Sequence, residues 1–174
     1  MVAEKTKPAK ALSKPIEDYG LIGNMMSAAL VGTDGSIDWL CLPRFDSPAC
    51  FAAILGAPDH GRWLISPREK VVKSSQRYVP GTAVLETRLE TETGAVTITD
   101  FMPLSDNEEQ VDLVRIVRGD HGEVAMSMEL VLRFNYGEVL PWVMRRDYGL
   151  SAVAGPDAVE LHTPAKLEGR DLKT

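Results

Sequence analysis

The chain has 174 residues with a formal net charge of -6, and hydrophobic residues make up 44% of it. That length suits one domain with a core of its own, and the acidic balance argues against a general nucleic-acid binder, which shows a basic face. No apolar run approaches the roughly 20 residues of a membrane helix, and the first residues lack the apolar stretch of a signal peptide, so the expectation is no membrane partner and a cytoplasmic location.

Residues 1–15 are rich in Lys, Ala and Pro without any period. They are expected to form a flexible N-terminal tail, with the folded unit over 16–174. The apolar runs 27–31 and 36–40 flank Gly32-Thr33-Asp34-Gly35, and Asp-Gly between two such runs predicts a hairpin. Ser47 as N-cap, Pro48 at the first helical position and Gly56 as a stop predict one short helix of about two turns. Beyond Gly61 the pattern turns to strands, at 62–66, 71–79, 84–92 and 95–101, the last two meeting at a Thr93-Gly94 turn. A short apolar strand over 113–117 is expected to stop near Gly119.

The clearest periodicity follows. Val124, Met126, Met128, Leu130, Leu132 and Phe134 alternate with Glu123, Ala125, Ser127, Glu129, Val131 and Arg133. A period of two kept this long predicts a strand with one buried face. Further strands are expected at 139–145, 149–154 and 158–162. Residues 167–174 carry no obvious closing element and read as a strand or loop in mid-course. The fold class is therefore all-β, an antiparallel β-sandwich with one short helix.

The sequence offers little chemistry. Cys41 and Cys50 are expected to be free, partly buried thiols. His60, His121 and His162 are far apart and lack ligand spacing, so no metal and no cofactor is expected. The carboxylates that could serve glycoside hydrolysis are Glu17, Asp18, Asp38, Asp46 and Asp100, and nothing in the sequence pairs two of them across a pocket. Asp38 is expected on the exposed face of a strand, and Asp100 at a strand end where it satisfies backbone donors. The segment from Trp39 to Ser47 gathers an indole, a guanidinium, a phenyl ring and a carboxylate around Pro43. Two readings stay open there. Trp39, Arg44, Phe45 and Asp46 rim a sugar pocket, or Trp39 and Phe45 belong to the core with Arg44 paired to a nearby carboxylate.

Two stretches are longer and more ordered than any short motif. They are Ile16-Glu17-Asp18-Tyr19-Gly20-Leu21-Ile22-Gly23-Asn24 and the run from Ala28 to Pro48 containing Gly32-Thr33-Asp34-Gly35-Ser36-Ile37-Asp38-Trp39-Leu40-Cys41-Leu42-Pro43-Arg44-Phe45-Asp46-Ser47. Together with Arg77-Tyr78, Leu85-Glu86-Thr87, Thr99-Asp100-Phe101-Met102-Pro103 and Arg133-Phe134-Asn135-Tyr136-Gly137, they resemble the opening module of bacterial glycoside hydrolase family 15 proteins, the glucoamylase-like and trehalase-like enzymes. The resemblance implies a β-supersandwich joined to an (α/α)₆ barrel that holds both catalytic glutamates of an inverting α-glucosidic hydrolysis. It therefore implies no catalytic residue in this chain, and a sandwich that ends before the family's is complete. The partners it implies are the parent's own C-terminal catalytic barrel and, in the parent, an α-glucan or disaccharide substrate. An apolar barrel-facing surface would also favour a homo-oligomer. The alternatives are an independent carbohydrate-binding module using Trp39, Phe45 and Trp142, and a protein-interaction module.

Overall fold

The computed structural model describes residues 14–106 and 110–169. Thirteen strands run through the described residues: β1 (Tyr19–Gly23), β2 (Ala28–Gly32), β3 (Ser36–Cys41), β4 (Ala49–Phe51), β5 (Arg62–Pro67), β6 (Lys73–Tyr78), β7 (Leu85–Glu90), β8 (Gly94–Phe101), β9 (Val114–Gly122), β10 (Met126–Val131), β11 (Trp142–Arg146), β12 (Gly149–Ala154) and β13 (Asp157–His162). They form three antiparallel sheets. The first has the order β1-β2-β3-β5-β10, with β4 on β3, the second β6-β7-β8-β9, and the third β11-β12-β13.

Apolar side chains join these sheets into a sandwich. One core cluster takes Ile22, Val31 and Ile37 from the first sheet, Leu85 from the second, and Leu150 and Leu161 from the third. A second cluster packs Ile65 of the first sheet on Leu89, Val96 and Ile98 of the second. The alternating residues of the β10 region divide between them: Val124, Met126 and Met128 pack on the second cluster, while Leu130, Leu132 and Phe134 join the first. The strand itself ends at Val131, earlier than the alternation does. Beyond it Arg133 N–H donates to the Cys50 carbonyl and Phe134 N–H to that of Val139.

The first hairpin turns where the Asp-Gly signal places it. Gly35 N–H donates to the Gly32 carbonyl at 2.9 Å, and Ser36 N–H to Asp34 Oδ1 at 3.1 Å. Gly35 has φ +84°, and a Cβ there would lie 2.3 Å from the Ile65 carbonyl oxygen. Gly35→Ala is expected to lower stability by about 2 kcal/mol, the ordinary cost of a left-handed non-glycine residue sharpened by that contact. A urea midpoint unchanged from the parent chain would contradict this.

The short helix after Pro48 does not form. Residues 49–51 are β4, in register with β3 through Leu40↔Phe51 and Cys41↔Ala49, and only a 3₁₀ turn at Ala53–Leu55 follows. Ser47 Oγ accepts from Arg44 N–H at 3.1 Å and so closes the preceding turn. Sheet pairing that buries Ala49, Cys50 and Phe51 outweighs a weak local helix signal.

Two carboxylates also sit differently from expectation. Asp38 is buried, because the β2–β3 register slips between Leu30 and Val31, pairing Leu30 with Trp39 but Val31 with Ile37. The bulge leaves Asp38 outside the pairing and breaks the period of two. Its Oδ2 accepts from Lys14 Nζ and from Tyr19 Oη, both at 2.7 Å, and its Oδ1 from Ser36 Oγ. Lys14 also reaches Asp34 at 3.0 Å. The expected tail thus has Lys14 tied to the domain, and residues 1–13 lie outside the described residues. Asp100 accepts from a guanidinium rather than from backbone donors. Arg115 Nε meets its Oδ1 at 2.8 Å, and both side chains are fully buried. Arg115 also donates to the Trp63 and Gly35 carbonyls, each at 2.7 Å, and its guanidinium lies 5.2 Å from the Trp63 ring centre. One arginine of the second sheet is thereby fastened to two backbone sites of the first.

Candidate functional site: a groove where three loops meet

Between β1 and β2 the chain turns on Asn24. Its buried Oδ1 accepts from Met26 and Ser27 N–H at 3.1 and 3.0 Å, a local side-chain turn. Its Nδ2 donates to the Pro103 carbonyl at 3.3 Å. Phe45 N–H donates to the Met26 carbonyl at 3.0 Å, and Ser27 Oγ to that of Cys41. Three loops far apart in sequence are thus tied into one surface, with a cis peptide between Leu42 and Pro43 in the middle one.

That surface is a groove of about 520 Å³, lined by Met25, Arg44, Phe45 and Leu104 among others. Three of its four large apolar side chains point into solvent: Met25 is 84%, Leu104 74% and Phe45 59% exposed, while Met26 is half-buried. Met25 also holds φ at +69°, where non-glycine residues are uncommon. A hydrogen-bonded frame thus holds three apolar side chains out in water.

The four residues read from the sequence as a pocket rim are only partly brought together. Arg44 and Phe45 line the groove. Asp46 pairs with Arg44 Nε at 3.0 Å, both side chains exposed. Trp39 belongs to another cluster. It packs half-buried on Cys41, Ala49 and Ala52, and its ring centre lies 6.0 Å from that of Tyr136. Tyr136 itself sits at φ +59°, next to Asn135 at φ +50°, so the Phe134-Asn135-Tyr136-Gly137 motif serves as a turn that sets Tyr136 beside Trp39. Phe45 is not a core residue, whereas the pairing of Arg44 with a nearby carboxylate holds. Met25 and Leu104 escaped the sequence reading, which took Gly20-Leu21-Ile22-Gly23 for a turn where the structure has β1 (Tyr19–Gly23) leading into the Asn24 turn.

At four carboxylates the electrostatics run against a general-acid role. A general acid needs a raised pKa, yet Asp38, Asp46, Asp120 and Glu160 are all held below the ordinary carboxylate range. For Asp38, burial pushes upward but is outweighed by hydrogen bonds from Lys14, Ser36 and Tyr19. For Asp46 and Glu160 the hydrogen bonds from Arg44 and Tyr148 lead. At Asp120 burial is again overcome, by Thr97, Arg118 and Arg88. Burial raises the thiols, Cys50 to about 12, so both free cysteines are poor nucleophiles. Among the described residues no group of three or more His, Cys, Asp or Glu side chains is placed to hold a metal ion, and no helix is long and apolar enough to cross a membrane. A second concavity, about 370 Å³, lies on the β6–β8 face and is lined by polar side chains including Arg77, Glu86 and Arg88. Arg77 and Glu86 satisfy each other there at 2.7 Å.

Comparison with known proteins fits these findings. Residues 9–167 match the family described as trehalase-like, N-terminal. The chain is 38% identical over 136 residues to Trehalase 1 of Sulfolobus acidocaldarius, covering 78% of this chain and 22% of that protein. It is 33% identical over 145 residues to the trehalase of Mycolicibacterium smegmatis, covering 72% of this chain and 21% of that protein. With the trehalase of Thermoplasma volcanium it shares 33% identity over 157 residues, covering 87% and 25%. The chain thus spans about a fifth to a quarter of the length of these curated relatives. No solved structure matches it.

Proposed function

Because this chain belongs to the trehalase-like N-terminal domain family, we propose that it is the non-catalytic β-sandwich module of a larger trehalase-type glycoside hydrolase, docked on the catalytic part through the groove of Met25, Phe45 and Leu104. The groove carries the reading: a rigid frame presents three exposed apolar side chains that the module's own core does not use. The states of the carboxylates support the non-catalytic half. Asp38 and Asp100 are committed to internal cations, and Asp46 is held ionised by Arg44.

In this reading the catalytic pair lies in a C-terminal (α/α)₆ barrel of the glycoside hydrolase family 15 type. There one carboxylic acid protonates the leaving oxygen and a second carboxylate activates a water across the ring. Trehalose is the substrate suggested by the names of the relatives, and a cytoplasmic enzyme is the location suggested by the chain's sequence. Arg44 and Asp46 at the groove margin are the polar groups placed to approach the rim of the barrel's sugar site. An independent sugar-binding role has weaker support, since Trp39 is half-buried against Tyr136 and joins no platform with Phe45.

The test uses the C-terminal part of the enzyme, expressed separately and immobilised. The chain should be retained on it, and Phe45→Asp or Leu104→Asp should weaken retention at least tenfold while leaving the urea midpoint unchanged. Equal retention of the parent chain and both variants would sink the docking surface.

A further inference from the structure

The turn that follows Phe134 is strained and firmly held. Three residues in a row have positive φ: Asn135 at +50°, Tyr136 at +59° and Gly137 at +101°. Glycine takes such angles freely, asparagine less often and a bulky tyrosine rarely. Hydrogen bonds fix the turn all the same. Phe134 and Val139 exchange both backbone bonds, at 2.9 and 3.0 Å, and Glu138 N–H donates to the Asn135 carbonyl at 3.2 Å. Asn135 Nδ2 donates to Glu138 Oε2 at 3.0 Å. Gly137 lies against His60, where a Cβ would come within 3.0 Å of its side-chain and backbone atoms.

The strain places one ring. Tyr136 is 44% exposed, and its ring is tilted by 37° against that of Trp39. Trp39 is itself seated on Cys41, Ala49 and Ala52, so it forms a fixed backing. Burial gives little in return, since no residue of the turn is buried. A turn that only reversed the chain would be less strained with glycine at 136. The exposed polar groups of the turn and its neighbour are the Asn135 amide, the Glu138 carboxylate and the His60 imidazole. A ring face edged by such groups matches a pyranose, which has an apolar C–H face and a rim of hydroxyls.

From this outlier we propose that Tyr136, braced by Trp39, contacts the sugar in the assembled enzyme, stacking on one glucosyl ring as one wall of a subsite whose other wall is the catalytic part. The proposal rests on the reading of this chain as a module of a trehalase-type enzyme, and it concerns a different surface from the groove. It requires no sugar affinity in the module alone, because a single ring without an opposite wall encloses nothing.

Steady-state hydrolysis of trehalose by this chain joined to its C-terminal part tests it. Tyr136→Ala should raise KM at least tenfold and leave kcat within about twofold, the pattern of binding lost equally from substrate and transition state. Tyr136→Phe keeps the ring, and its KM should stay within about threefold of the parent's. Tyr136→Gly separates contact from scaffolding. Glycine fits the angles of the turn, so the urea midpoint of the 174-residue chain should stay within error of the parent's, while KM rises as for Tyr136→Ala. A KM for Tyr136→Ala equal to the parent's would overturn the proposal. So would a lowered midpoint for Tyr136→Gly with kcat and retention on the C-terminal part falling together, which would make Tyr136 a scaffold residue. A joined protein that leaves trehalose intact removes the module reading and this proposal together, whereas an active one indifferent to Tyr136→Ala removes the proposal alone.

Discussion

Asp100→Ala is expected to lower the unfolding free energy by about 3–5 kcal/mol, the usual cost of leaving one member of a buried ion pair behind. Arg115 would keep a full charge in a site without solvent access. Its remaining partners, the carbonyls of Trp63 and Gly35, satisfy hydrogens but do not neutralise it. Arg115→Ala should cost at least as much, because it leaves the Asp100 carboxylate uncompensated and removes donors from two buried carbonyls. The double replacement Asp100→Leu with Arg115→Met should recover much of the loss, since an apolar pair of similar volume is often neutral in such a place. Urea unfolding followed by circular dichroism reads all three. A midpoint for Asp100→Ala within error of the parent would mean that the pair does not hold the second sheet on the first.

The second large effect is expected at Asp38. Removing its side chain as Ala frees three donors, Lys14 Nζ, Tyr19 Oη and Ser36 Oγ. The expected cost is about 3 kcal/mol, as for hydrogen bonds to a charged group. This stabilisation depends on pH with a definite sign. The fold holds the Asp38 carboxyl below its ordinary range, so the native state favours the ionised form. Its contribution is fully present above the unfolded-state pKa, about 3.9, and is lost as pH falls through the lower folded value. The difference in stability between the parent chain and Asp38→Asn should be constant from pH 7 to pH 5 and shrink toward pH 3. A difference that stays constant down to pH 3 would show that Asp38 acts without its charge. Tyr19 shifts the opposite way: burial and then the Asp38 carboxylate push its hydroxyl up, so it stays protonated and keeps donating.

Much of this architecture was legible in the sequence, because alternation and turn residues are local signals. Residues 149–154 form the predicted strand, and the Asp34-Gly35 and Thr93-Gly94 turns join the predicted strand pairs. The failures share a cause. Residues 48–56 had a sound local helix signal, but the partner that makes 49–51 a strand is β3, and pairing with it is a tertiary event. Asp38 was misplaced because one bulge shifts the side-chain period, and a bulge leaves no mark in composition. The strand that begins at Val114 runs on to Gly122, past the stop read at Gly119, because β8 continues to offer it a partner. The groove was half visible. Arg44 and Phe45 stood out by type, while Met25 and Leu104 reach the same surface through hydrogen bonds that span more than 70 residues of chain, as from Asn24 to Pro103.

The central claim is that this module folds as a sandwich and leaves the chemistry to the rest of the enzyme. Glucose release from trehalose by the purified 174-residue chain tests it most directly, with maltose and maltooligosaccharides alongside. The account predicts a rate equal to that of a protein-free blank. Release above the blank that disappears on Asp38→Asn or Asp46→Asn, in protein that remains folded, would contradict it.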